Sequence, residues 1–297
     1  MQSETRATEG RPNDPRAGTE PDGDPDIFVL SGARDWTGGS VLRLGARVFP
    51  LRHWMARGHA TVGAEVAVTA SLLGRLPSGP TAVIVVAPDV PVFSVVDQVL
   101  PAAHGLLTER RAPTGSLTLG VASPRPVRSG TAGRLAMYNQ HLETLPEALV
   151  ECVAAARRCG LVTAHGNCVL LLQHFVPTTA SAVVHASPDR RRPVRVDCRW
   201  GLTEMSSPAD TFEVPVDGAI VETLACKPTA HVVAPGGTHT VRLPAGWRNR
   251  YSLGQETVRR LAALSREAAV TAGRTLSLDV AMGAHGPVVL RCRPTRE

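Results

Sequence analysis

The chain has almost no lysine. Of its 32 basic residues only Lys227 is a lysine, so its positive charge is carried by arginine. Aromatic residues make up 4% of the chain, and no nucleic-acid recognition module is visible, so a nucleic-acid partner is not expected. No run of 18 apolar residues occurs, which argues against a membrane-spanning helix. The first residues are polar and acidic, unlike a signal peptide, and a cytoplasmic location is expected. The six cysteines, at 152, 159, 168, 198, 226 and 292, include no C-x-x-C. The ten histidines form no H-x-x-x-H. These absences exclude the usual disulfide frameworks and structural zinc sites. Cys168 and Cys198 sit in apolar runs and read as reduced core thiols.

What is present is a chain of 297 residues with 43% apolar content, enough for one large domain or two small ones. Residues 1–26 hold seven acids and three arginines, a net charge of −4. With +6 overall, the remainder therefore stands near +10, which suits a phosphate-rich ligand or a solvated arginine surface. The first 26 residues have too little apolar content to order themselves and are expected to form a flexible acidic tail.

Beyond the tail, periodicity predicts an α+β architecture. Buried strands are expected at 81–87, 116–121, 168–176, 182–186, 194–200 and 212–216, with a further one at 221–226. Helices are expected over 95–107, 145–159 and 255–271. Leu145, Leu149, Cys152, Val153 and Ala156 fall at helical spacing, and Gly160 and Gly273 suit C-terminal caps. The chain closes with a hairpin: Ser277-Leu278-Asp279-Val280-Ala281, a turn at residues 283–286, then Val288-Val289-Leu290-Arg291-Cys292-Arg293-Pro294. That hairpin places an acid and two arginines on paired strands.

Four segments, in order, resemble the ATP-binding domain of the phosphoenolpyruvate synthase and pyruvate phosphate dikinase family. Thr131-Ala132-Gly133, with Tyr138 and the helix after it, resembles the family's F-A-G-x-x-x-T-Y-L loop. The run from Val169 to Val176, followed by Ala180-Ser181-Ala182-Val183, resembles V-x-V-Q-x-M-V and A-S-G-V. Trp200-Gly201-Leu202-Thr203-Glu204 resembles W-G-L-G-E, and the stretch from Pro208 to Phe212 resembles the P-D-x-Y/F that follows it. The closing hairpin resembles D-I-E-W-A … L-Q-A-R-P. The match covers roughly residues 130–295 of the chain.

The resemblance implies an ATP-grasp fold, in which two α+β lobes close over a nucleotide. It divides the chain into a tail (1–26), a divergent first lobe (27–125) and a second lobe (126–297). It implies ATP as cofactor, with adenine against the strand that carries Gln173 and Phe175. Gly133 would let backbone N–H groups reach the phosphates. Glu204 would be a ligand-side acid, Arg128 and Arg293 phosphate-binding catalytic arginines, and Asp279 a magnesium ligand. Phosphoryl transfer needs such positioning and charge neutralisation more than covalent chemistry.

The departures cluster at the same site. Asp279 stands for the family's metal-binding Glu, and Arg291 for its metal-binding Gln. Arginine has no acceptor atom and repels a cation, so magnesium is doubtful there. Met137 stands for the loop threonine, and no glycine-lysine segment precedes Lys227. No T-S-H-A phosphohistidine motif occurs, so a phosphohistidine domain would have to come from a separate protein. Two readings stay open: a phosphotransfer component that works with such a partner, or a non-catalytic pseudoenzyme that binds a nucleotide or a regulatory partner. Trp200 and Leu202 read as packing residues, and Lys227 as a solvated surface cation.

Overall fold

The computed structural model describes residues 47–50, 76, 81–108, 115–122, 136–163, 166–202, 208–235 and 237–295. The tail, Arg128, Gly133 and Glu204 lie outside the described residues. The fold class is α+β, as expected.

Two antiparallel sheets form the frame. The first contains β1 (Arg47–Pro50), β2 (Thr81–Val86), β3 (Leu117–Val121), β4 (Ala136–Gln140) and β5 (Cys168–His174), in the order β1-β2-β5-β3-β4. β2, β3 and β5 are buried along their whole length, which is why they read as continuous apolar runs. Helices α1 (Val92–Thr108) and α2 (Leu145–Arg158) lie on one face of this sheet. They bury Val95, Val99, Leu145 and Leu149 against Ile84, Leu119, Leu170 and Leu172.

The second sheet contains β6 (Ala180–Ala186), β7 (Val194–Trp200), β8 (Asp210–Val214), β9 (Val221–Thr223), β12 (Leu276–Gly283) and β13 (Gly286–Pro294). Their order is β13-β12-β6-β7-β8-β9. Helix α4 (Gln255–Ala272) covers one face with Val258, Leu261, Ala262, Ala268 and Ala269, and Gly273 caps it in the left-handed conformation at φ 62°. Val83, Val85, Val169 and Leu171 of the first sheet join this same core cluster. Between β9 and α4 lie a hairpin of β10 (Thr229–Ala234) and β11 (Gly237–Arg242), and the short helix α3 (Ala245–Arg248). The periodicity did not anticipate the hairpin.

The chain passes from the first sheet to the second between His174 and Ala180. β5 pairs with β2 on one side and β3 on the other, so it belongs to the first sheet. A strand buried on both faces carries no mark in the sequence of which sheet it joins.

Candidate functional site

The side chains of β12 alternate across the sheet. Leu276, Leu278 and Val280 join the core under α4, while Ser277 and Asp279 point to the opposite face. Register extends that face across the strands. Arg293, Ser277, His185 and Arg195 form one row, and Arg291, Asp279, Val183, Asp197 and Thr211 the next. Between Asp279 and Val280 the ladder shifts: Asp279 pairs with Arg291 but Val280 with Val289. Leu290 is the extra residue of this bulge, and it packs with Ala136, Tyr138, Phe175, Leu202 and Ala281 where the two sheets meet.

Three sequence-predicted site residues meet here. Arg291 Nε donates to Asp279 Oδ2 at 2.7 Å, and its Nη2 lies 2.7 Å from the same oxygen. Arg293 Nη2 donates to Asp279 Oδ1 at 2.7 Å. The Asp279 side chain is 1% exposed and the two arginines 10% and 11%. Burial alone would raise the Asp279 carboxyl; the two guanidinia and their hydrogen bonds outweigh it and hold the carboxyl below the usual carboxylate range. Arg293 Nε has no partner among the described residues. Tyr138, buried beside the cluster, has its hydroxyl pKa raised by desolvation.

These residues do not fit a magnesium ion. Both carboxylate oxygens are engaged by guanidinium groups, and the position that would supply a second oxygen ligand is a cation. No group of three or more His, Cys, Asp or Glu among the described residues is placed to hold a metal. A hydrogen-bonded cluster of one anion and two cations keeps a net positive charge and spare N–H donors, which suits phosphate oxygens better than a cation.

On the same face, Asp197 accepts from Arg195 Nε at 3.0 Å and from Thr211 Oγ1 at 2.8 Å. His185 Nε2 lies 3.9 Å from Asp197. Burial, with Arg195 and Arg293 nearby, outweighs Asp197 and Asp279 and lowers the His185 pKa below the usual imidazole value.

The expected adenine strand is the central strand of the first sheet. Gln173 is 4% exposed and its Nε2 donates to Thr81 Oγ1 at 3.1 Å. The main chain from Leu170 to Gln173 is paired on both sides. The Phe175 ring is 1% exposed within the junction cluster, and its N–H donates to Ser116 O at 2.9 Å. A central strand commits its backbone N–H and C=O groups to its neighbours.

The Trp200-Gly201-Leu202 motif pins the β10–β11 hairpin to the second sheet. Leu202 N–H donates to His231 O at 2.8 Å, and Gly201 N–H to Thr179 O at 2.7 Å. Trp200 Nε1 donates to Trp247 O at 3.1 Å, and the two indoles meet edge to face at 4.6 Å. Leu202 is buried, as the packing reading expects. Gly201 adopts φ +77°, and a Cβ there would come within 2.1 Å of His231 O. Gly201→Ala should therefore cost at least about 2 kcal/mol, the left-handed penalty plus a backbone clash. Urea denaturation checks this, and a loss under about 0.5 kcal/mol would contradict it.

Lys227 is not solvated. It is 1% exposed, and its Nζ lies 2.5 Å from Oδ1 of Asp210, which is fully buried. It also donates to Ala225 O at 2.9 Å. Asp210 is buried at the start of β8 and needs a buried partner, which Lys227 supplies. Four cysteines, at 152, 168, 198 and 292, are buried, and burial pushes each thiol up to about 12. They are inert packing groups at neutral pH.

No protein-family model and no curated protein matches the sequence. The structure is similar to N5-carboxyaminoimidazole synthase from Aspergillus clavatus, solved with ADP and 5-aminoimidazole ribonucleotide. The identity is 10% and the TM-score 0.33, over 75% of this chain and 42% of that one. It is also similar to biotin carboxylase from Campylobacter jejuni in an ATP complex, at 11% identity and a TM-score of 0.37, over 78% and 40% of the two chains. A third similar structure is the dinucleotide-forming acetyl-coenzyme A synthetase 1 of Ca. Korarchaeum cryptofilum, at 13% identity and a TM-score of 0.40, over 76% and 89%. The chain spans less than half the length of the first two.

Proposed function

We propose that the chain is a divergent ATP-grasp protein that binds ATP or a related polyphosphate beside its closing hairpin. We further propose that it binds without magnesium at Asp279 and is not a kinase in its own right. The observation that carries this reading is the engagement of both Asp279 oxygens by Arg291 and Arg293 at 2.7 Å. An ion pair of this kind takes the place of a metal site: it removes the anionic ligands and leaves guanidinium donors. The order of the four motif segments, from the glycine loop at Gly133 to the hairpin, supports a nucleotide as the ligand.

The test is magnesium dependence of ATP binding. ATP should bind wild-type chain equally well in EDTA and in magnesium. The double variant Asp279→Glu, Arg291→Gln restores two oxygen ligands and should bind ATP more tightly with the ion than without it. A double variant indifferent to magnesium, with wild-type affinity, would contradict the role assigned to Arg291. In the alternative reading Arg291 grips a phosphate in place of the ion, and a separate phosphohistidine protein accepts the phosphoryl group. Labelled ATP would then mark a histidine on that protein.

A further inference from the structure

The β10–β11 hairpin contributes little to the core. Of its described residues only Ala230 is buried. It is held instead by polar contacts at three levels. Its root is fixed: Lys227 N–H donates to Arg248 O, and Leu243 N–H to Pro228 O, both at 2.9 Å, beside the buried Lys227–Asp210 pair. Its middle is tied to the second sheet at His231 by Gly201 and Leu202. Its tip reaches the first sheet, where Asn139 Nδ2 donates to Ala234 O at 2.7 Å and to Gly237 O at 3.2 Å. Both partners are carbonyl oxygens, so only the amide nitrogen can face them.

Asn139 is held in an unusual backbone. It is the only non-glycine residue with positive φ among the described residues, at 54°, and it is 6% exposed. Asparagine tolerates this conformation at a cost, and its surroundings must hold it there. Its neighbour Tyr138 packs in the junction cluster with Leu290 and lies within electrostatic reach of Arg291, Asp279 and Arg293. The hairpin therefore bridges the two sheets, from Gly201 and Leu202 to Asn139, and its latch residue directly follows Tyr138.

We propose that β10–β11 is a strap across the junction of the two sheets, rooted at Lys227 and latched at Asn139, and that the latch opens to admit a ligand to the Asp279–Arg291–Arg293 cluster. The strap stands on the hydrogen bonds above; only the identity of the ligand rests on the nucleotide reading. A segment with few buried apolar contacts and a two-bond latch belongs to the low-stability end of a fold, where such motions occur.

The test is amide hydrogen exchange on the full chain, in wild type, Asn139→Gly and Asn139→Asp. Glycine accepts positive φ and lacks the amide. Aspartate keeps the shape and the backbone tolerance but cannot donate. In both variants amides of residues 232–240 should exchange about tenfold faster, the effect of losing two hydrogen bonds, while β6, β7 and β12 stay unchanged. Stopped-flow ATP association should be faster in both. Unchanged exchange at 232–240, or faster exchange spread evenly over the second sheet, would overturn the latch. Faster strap exchange with an unaltered ATP association rate would overturn its gating role. ATP that binds none of the three proteins would sink the nucleotide reading, and the exchange data alone would then decide the strap.

Discussion

Lys227→Ala should lower the stability of the chain by about 3–5 kcal/mol, the usual cost of breaking a fully buried ion pair. Asp210 is 0% exposed and its carboxylate is completely engaged. Oδ1 accepts from Lys227 Nζ at 2.5 Å and from Ala225 N–H at 3.1 Å. Oδ2 accepts from Ser252 N–H at 2.8 Å and from its hydroxyl at 2.9 Å. Removing the ammonium leaves a charge in the core with neutral donors only. The pair ties β8, the β9–β10 connection and the segment before α4 into one unit, so the loss is felt across the second sheet. Urea denaturation measures it, and a loss below about 1 kcal/mol would show that the pair does not anchor the second sheet. Replacing both partners together, by Lys227→Met and Asp210→Leu, should cost much less, because no unpaired charge remains.

Asp279→Ala should be comparably damaging, at about 3–5 kcal/mol, because it strands two buried guanidinia at once. The same site predicts an acid response. The folded Asp279 carboxyl lies below its unfolded value because Arg291 and Arg293 outweigh the effect of burial. The stabilisation it supplies is therefore complete above the unfolded pKa, about 4, and is lost as pH falls through the lower folded value. The wild-type denaturation midpoint should hold its Asp279 contribution from neutral pH to about 5 and lose it below about 4. The Asp279→Ala protein should lack that component of the acid decline. Parallel declines in the two proteins would show that the carboxylate is not specifically stabilised.

Much of the fold was legible in the residues. The strand at Val194–Trp200 was read to its ends, and α2 and α4 within one residue at either end, because apolar residues recur at helical spacing and glycines terminate both helices. The closing hairpin was read together with its three charged residues, since Asp279 stands on one strand and the two arginines at alternating positions of the other. What escaped depends on partners distant in the chain. β10–β11 is half-exposed on both faces, so it has no strong alternation, and its place is set by Gly201 and Asn139. Lys227 read as a surface cation because nothing local marks Asp210, 17 residues earlier, as its partner. Gln173 hydrogen-bonds Thr81 across the strand pair, a partner that the buried run itself does not reveal.

We propose that the β12–β13 hairpin takes a polyphosphate through Arg291 and Arg293, without a metal at Asp279. Thermal unfolding of the wild-type chain with millimolar ATP, in EDTA and again in magnesium, tests it most directly. A ligand that binds the folded state raises the midpoint by mass action. The midpoint should rise with ATP in EDTA, and by the same or a smaller amount in magnesium. A rise that appears only when magnesium is present, or no rise with ATP under either condition, would contradict it.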